Sequence, residues 1–134
     1  MADTTDYASV AEFRAALRRF LRVSEEAARR HGLTPRRHLL LLMIKGAPGG
    51  DERSTVSELC ERLQLAQSTV TELVQRAEDV GLVQREASGT DGRVAHLSLT
   101  PVGEGKLADL HRELSDERAL LLEYLHPKPA SASG

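Results

Sequence analysis

The hydrophobic repeat of this chain changes period once, and that change bounds the fold. Between Thr55 and Gly81, apolar residues recur at helical spacing in two short runs. The first holds Val56, Leu59, Cys60 and Leu63, and the second Val70, Leu73, Val74 and Ala77, with Gln64-Leu65-Ala66 as a break between them. From Leu82 the period drops. Residues 82–86 can form a strand, 88–92 are a turn by composition, and 94–100 alternate apolar and polar residues as a half-buried strand does. Two helices across a tight break, followed by a β-hairpin, predict a helix-turn-helix with a wing.

The flanks are helical. Residues 1–6 are polar and predicted to fray. Residues 7–31 place Val10, Phe13, Leu17, Phe20, Leu21, Ala27 and Ala28 at helical spacing, and Gly32 is the stop signal. Thr34-Pro35 then reads as an N-cap followed by proline at the first helical position. The second helix, 35 to about 45, carries the run LLLLMI, apolar on nearly every face, which predicts the buried centre of the domain. Residues 46–54 read as a loop, and Thr55 with Glu58 makes a capping-box pattern for the third helix. Pro101 opens one long last helix to about residue 126, with Leu107, Leu110, Leu114, Leu121, Leu122 and Leu125 at three- and four-residue intervals. That stripe exceeds what a domain this size needs to cover itself, and the first helix has a matching one, so the pair predicts a dimer seam. The organisation is a single domain over residues 1–134. Dimerisation helices occupy 7–31 and 101–126, a winged helix-turn-helix region occupies 34–100, and 127–134 form a disordered tail.

Composition narrows the classes. With 40% apolar and 28% charged residues in 134, the chain is globular, and a Leu/Ala/Val core with 3% aromatics favours helices. A single cysteine, Cys60, excludes an intrachain disulfide. The N-terminus does not read as a signal peptide and the longest apolar run, residues 39–44, is too short to span a bilayer, so a cytoplasmic protein away from membranes is expected. No serine, cysteine or lysine has a recognisable base and orienting partner, and there is no phosphate loop, so enzyme activity is not expected and no cofactor is implied. The net charge of −2 argues mildly against nucleic acid, but phosphates respond to local potential rather than to the sum.

That local chemistry points to DNA. The helix after the break shows a polar face early: Gln67, Ser68, Thr71, Glu72 and Gln75, then Arg76. Short hydroxyl and amide side chains at a helix N-terminus let the backbone approach a groove and both donate to and accept from base edges. The helix dipole adds attraction for phosphate at the same end. The hairpin carries Arg85 at its base and Arg93 near its tip, where an arginine can enter the minor groove and read its width. The segments TVSELCERLQLAQSTVTELVQRAEDVGLVQRE and DGRVAHLSLTPVGEG resemble the MarR family of bacterial regulators, as does Gly32-Leu33-Thr34-Pro35 before the second helix. The resemblance implies a homodimer joined by its first and last helices. It also implies that Ser68, Thr69, Thr71 and Gln75 face the major groove, that Asp91 steers Arg93 into the minor groove, and that a small anionic or phenolic ligand near the interface releases the DNA. The function expected is a transcriptional regulator, a repressor, binding double-stranded DNA at a pseudo-palindromic operator. The alternative is a winged-helix dimer that docks a partner protein without binding DNA.

Three positions depart from the family pattern. Glu72 stands where many members carry Lys or Arg; an acid there repels phosphate but can accept from cytosine N4. Ala66 replaces a serine cap, and Gln64 stands where glycine is common. His38 takes an apolar-facing place in the second helix and is the candidate lining of a ligand pocket, against the plainer reading of a hydrogen-bonded boundary histidine. Cys60 lies on an inward face, where a free cysteine is a small hydrophobe rather than a sensor. No histidine pair has the spacing and carboxylate company of a metal site. Arg36 and Arg37 open a helix, where the dipole disfavours cations unless phosphate lies close.

Overall fold

The computed structural model describes residues 4–87 and 94–125. The chain runs α1 (Thr4–Arg30), α2 (Pro35–Lys45), β1 (Arg53–Ser54), α3 (Val56–Leu63), α4 (Gln67–Asp79), β2 (Val83–Ala87), β3 (Ala95–Leu99), α5 (Pro101–Glu113) and α6 (Ser115–Leu125). The helix boundaries follow their caps. Thr34 accepts from the Arg37 N–H ahead of Pro35, and Thr55 and Glu58 form the reciprocal capping box. Gly32 and Gly81 take left-handed φ of 75° just past α1 and α4, a conformation glycine adopts without a Cβ penalty.

The core forms where α2 meets the helix-turn-helix and the sheet. Leu40, Leu41 and Ile44 of α2 pack with Leu59, Val70, Val74, Leu97 and Leu110, all fully buried. Each leucine or isoleucine so buried contributes about 1.5–3 kcal/mol. The α2 run is not buried on every face, however: Leu39 and Leu42 are each 38% exposed, on flanks that the described residues cover only in part.

Two further expectations are corrected. The loop at 46–54 ends in a strand: β1 pairs antiparallel with β3, Arg53 opposite Ser98 and Ser54 opposite Leu97, making a three-stranded sheet of order β1-β3-β2. A two-residue strand has no periodicity to read; it exists because the hairpin offers the free edge of β3. The long last helix breaks at Leu114, which ends α5 and whose carbonyl accepts the first bond of α6 from Arg118. Ser115, Asp116 and Glu117 suit a helix start, and the Arg118 guanidinium donates to the His111 carbonyl that the break leaves exposed, at 2.8 Å. After the break α6 lies along α1, with Phe13 and Tyr124 edge to face at 5.8 Å. Helix α1 begins at Thr4, earlier than the frayed start expected, and the 127–134 tail lies outside the described residues. Among the described residues no helix is long and apolar enough to cross a membrane.

Candidate nucleic-acid interface

Helix α4 is amphipathic in the sense a reading helix requires. Val70, Val74 and Ala77 are fully buried, while Gln67, Ser68, Thr71, Glu72 and Gln75 line an open, shallow face on the opposite side. Of the residues expected to contact DNA, Gln67, Ser68, Thr71 and Gln75 are exposed together on this face, and Arg76 is exposed beside it, in a groove between α2 and α4. Thr69 differs: it is half-buried and faces that groove. Gln75 donates to Asp79 at 3.0 Å.

The start of α4 is bare. Ala66 has the extended backbone of an N-cap, φ −64° and ψ 152°, but no side chain to accept from the first turn. The turn before it is made by Gln64 in the left-handed region, φ 55° and ψ 47°, with its amide donating to the Glu61 carbonyl. The free N–H groups of the first turn are therefore left to whatever approaches that end. Ala66→Ser, which needs no backbone change at such a dihedral, is expected to raise folding stability by about 1 kcal/mol. A urea midpoint that rises with an unchanged slope would show it.

Charge is distributed unevenly around this face. Glu72 and Arg76 pair at 2.8 Å with both side chains largely in solvent, a pair of the i,i+4 kind worth about 0.3–0.5 kcal/mol and easily opened. Arg36 and Arg37 at the start of α2 line one groove with Thr69 and Arg76 of α4 and Glu25 of α1, so three guanidiniums and one carboxylate border the polar face of α4. The sequence hints at Arg36 and Arg37 only through cations at a helix start; their nearness to Arg76 is a property of the fold. At the wing root, Arg85 donates to Glu78 of α4 at 2.8 Å. Asp91 and Arg93, with the 88–92 turn, lie outside the described residues.

His38 sits half-buried on α2 and lines neither the polar face of α4 nor the groove beside it. Burial pushes its pKa down, and repulsion from His111 and then His31 pushes the same way. His31 is itself held 3.2 Å from Glu113, whose carboxyl sits below its ordinary range through hydrogen bonds from His31 and Arg30. For His38 the fold favours the neutral ring, so the unfolded chain takes up a proton at higher pH than the native one. That contribution to stability is present above the ordinary histidine value of about 6.5 and is lost as pH falls from there toward the depressed native value. His38→Gln is expected to flatten the thermal midpoint against pH across that window; an unchanged profile would assign the pH dependence elsewhere. Cys60 is half-buried against the core.

The fold and this face define a winged helix-turn-helix protein. A model of the MarR family matches residues 31–94. The HTH-type transcriptional repressor MdtR of Bacillus subtilis (strain 168) is 32% identical over 100 residues, 75% of this chain, and this chain spans 60% of that repressor's length. Among solved structures, the YusO protein of Bacillus subtilis is 26% identical, with a TM-score of 0.61 over 97% of this chain and 87% of that one. A mutant MarR from E. coli, solved in complex with operator DNA, is 20% identical and shares the fold, with a TM-score of 0.68 over 93% of this chain and 96% of that one. By that model and that relative, the chain is similar to members of the MarR family.

Proposed function

We propose that this chain is a homodimeric, sequence-specific DNA-binding regulator of transcription. The observation that carries the reading is the division of α4: one face fully buried, the other a solvent-open row of hydroxyls and amides beside an uncapped N-terminus. In the proposed complex Gln67, Ser68, Thr71 and Gln75 meet base edges in the major groove, with Thr69 at their margin. Arg76, Arg85 and Arg93 meet phosphates or the minor groove, with Asp91 steering Arg93. Two copies then span half-sites about one helical turn apart on a pseudo-palindromic operator.

Dimerisation through α1, α5 and α6 is part of the same proposal. It is supported by large apolar side chains left in solvent at the two ends of the chain, including Val10, Leu21, Leu120, Leu122 and Leu125. A negative regulatory role is supported by the relative MdtR, which is named a repressor, and DNA as partner by the E. coli MarR fold bound to operator DNA. Release by a small anionic or phenolic ligand near the subunit joint, with His38 in its lining, completes the proposal; a thermal-shift screen of such compounds tests that step separately.

The deciding experiment pairs light scattering on the purified chain with a gel shift against duplexes selected from a randomised pool at moderate salt. A dimer that retains a selected sequence and releases a scrambled one is the expected result. A dimer that retains no duplex would favour the alternative, a protein-docking module.

A further inference from the structure

We infer that Glu72 is a specificity-determining residue, selecting cytosine at one position of each half-site; the inference rests on the DNA-binding reading above. Among the described residues, Glu72 is the one that borders both features of the surface. On one side it closes the row formed by Gln67, Ser68, Thr71 and Gln75, and on the other it lines the groove with Arg36, Arg37 and Arg76, whose three cations outnumber the two carboxylates there, Glu72 and Glu25. It is thus a carboxylate set into the surface a polyanion would approach, 66% exposed and neutralised by Arg76 at 2.8 Å.

On a duplex that neutralisation is contested. Arg76 is equally exposed and stands next to two further arginines, so a phosphate entering the groove competes with Glu72 for its guanidinium. Once Arg76 turns to phosphate, Glu72 faces the base edges with an unpaired charge that can only accept hydrogen bonds. In the major groove, guanine offers two acceptors and thymine an acceptor and a methyl. Adenine sets its amino donor beside the N7 acceptor, and cytosine offers its N4 amino donor alone. Cytosine is therefore the base that restores a partner to Glu72 without placing a second acceptor against it. The neighbours Ser68, Thr71 and Gln75 each carry donor and acceptor capacity and can adapt to several bases. Glu72 cannot, so it rejects acceptor-bearing edges outright and sets specificity by exclusion.

The test uses the full chain and duplexes with randomised half-sites, selected and sequenced in parallel for the wild type, Glu72→Gln and Arg76→Ala, with fluorescence anisotropy on the selected duplex and its single-base variants. The wild type is expected to show one position per half-site where cytosine exceeds guanine by about tenfold. Glu72→Gln, carrying both donor and acceptor, is expected to lose that preference to within about twofold or to pass it to adenine, with other positions unchanged. Arg76→Ala is expected to bind all sequences more weakly while keeping the cytosine. If Glu72→Gln and the wild type select the same bases at every position, the inference is overturned while DNA binding stands. If the wild type selects no sequence, the DNA-binding reading falls and the inference falls with it. Both substitutions lie on the exposed face of α4, and equal thermal midpoints would verify that the fold is kept.

Discussion

Gly103→Ala is expected to lower folding stability by about 3 kcal/mol, the upper range for an atom forced into a packed site. A Cβ at Gly103 would stand 2.2 Å from the Leu82 carbonyl oxygen and 3.1 Å from its carbon. Both partners in that clash are backbone, and neither can yield cheaply. The Leu82 carbonyl already accepts from the Thr100 N–H at 3.0 Å, and the Thr100 hydroxyl donates to the Gly81 carbonyl at 2.6 Å while accepting from the Gly103 N–H at 3.1 Å. Relief would require α5 to lift from the wing root and open this junction. Gly105→Ala is the control: the same helix and the same substitution, with open space around the added methyl. There alanine is expected to stabilise by up to about 1 kcal/mol, because glycine is the poorer helix former. Urea denaturation of the two variants side by side separates the effects. Equal midpoints would mean that α5 can shift away from Leu82.

Arg93→Ala is expected to weaken binding to a selected operator by about a hundredfold at moderate salt. An arginine lost from a groove or phosphate is worth about 1–3 kcal/mol, and a two-fold complex loses one from each copy. The logarithm of the binding constant should also fall less steeply with salt, by about two units of slope for two contacts removed. A salt titration that overlays the wild type would take Arg93 out of the interface. Arg93 lies outside the described residues, in the sequence between a strand ending at Ala87 and one beginning at Ala95.

The helical frame was legible because its punctuation is local. Thr34-Pro35, Thr55 with Glu58, Gly32 and Gly81 each act within one turn of chain, and each stands where its chemistry requires. The exposed polar face of α4 was legible for the same reason: burial of Val70, Val74 and Ala77 at three- and four-residue spacing fixes which residues are left outside. Features that depend on distant partners were not. Strand β1 exists only because β3 has an edge to pair, the break at Leu114 is held by Arg118 reaching back to His111, and Leu39 and Leu42 reach the surface because neighbouring elements stop short of them. The pairing of Glu72 with Arg76 lies in between. Their spacing permits it, but the addition of Arg36 and Arg37 to the same groove comes from the crossing of α2 over α4.

The tie between α4 and the wing root has a mechanical consequence. Leu82 donates back to the Ala77 carbonyl at 2.9 Å, and Arg85 clamps Glu78, so the helix and the first wing strand form one stiff caliper. The root of the wing therefore moves with the helix. In the proposed dimer, a half-site spacing off by a base pair would then have to be absorbed between the subunits rather than at the root of either wing.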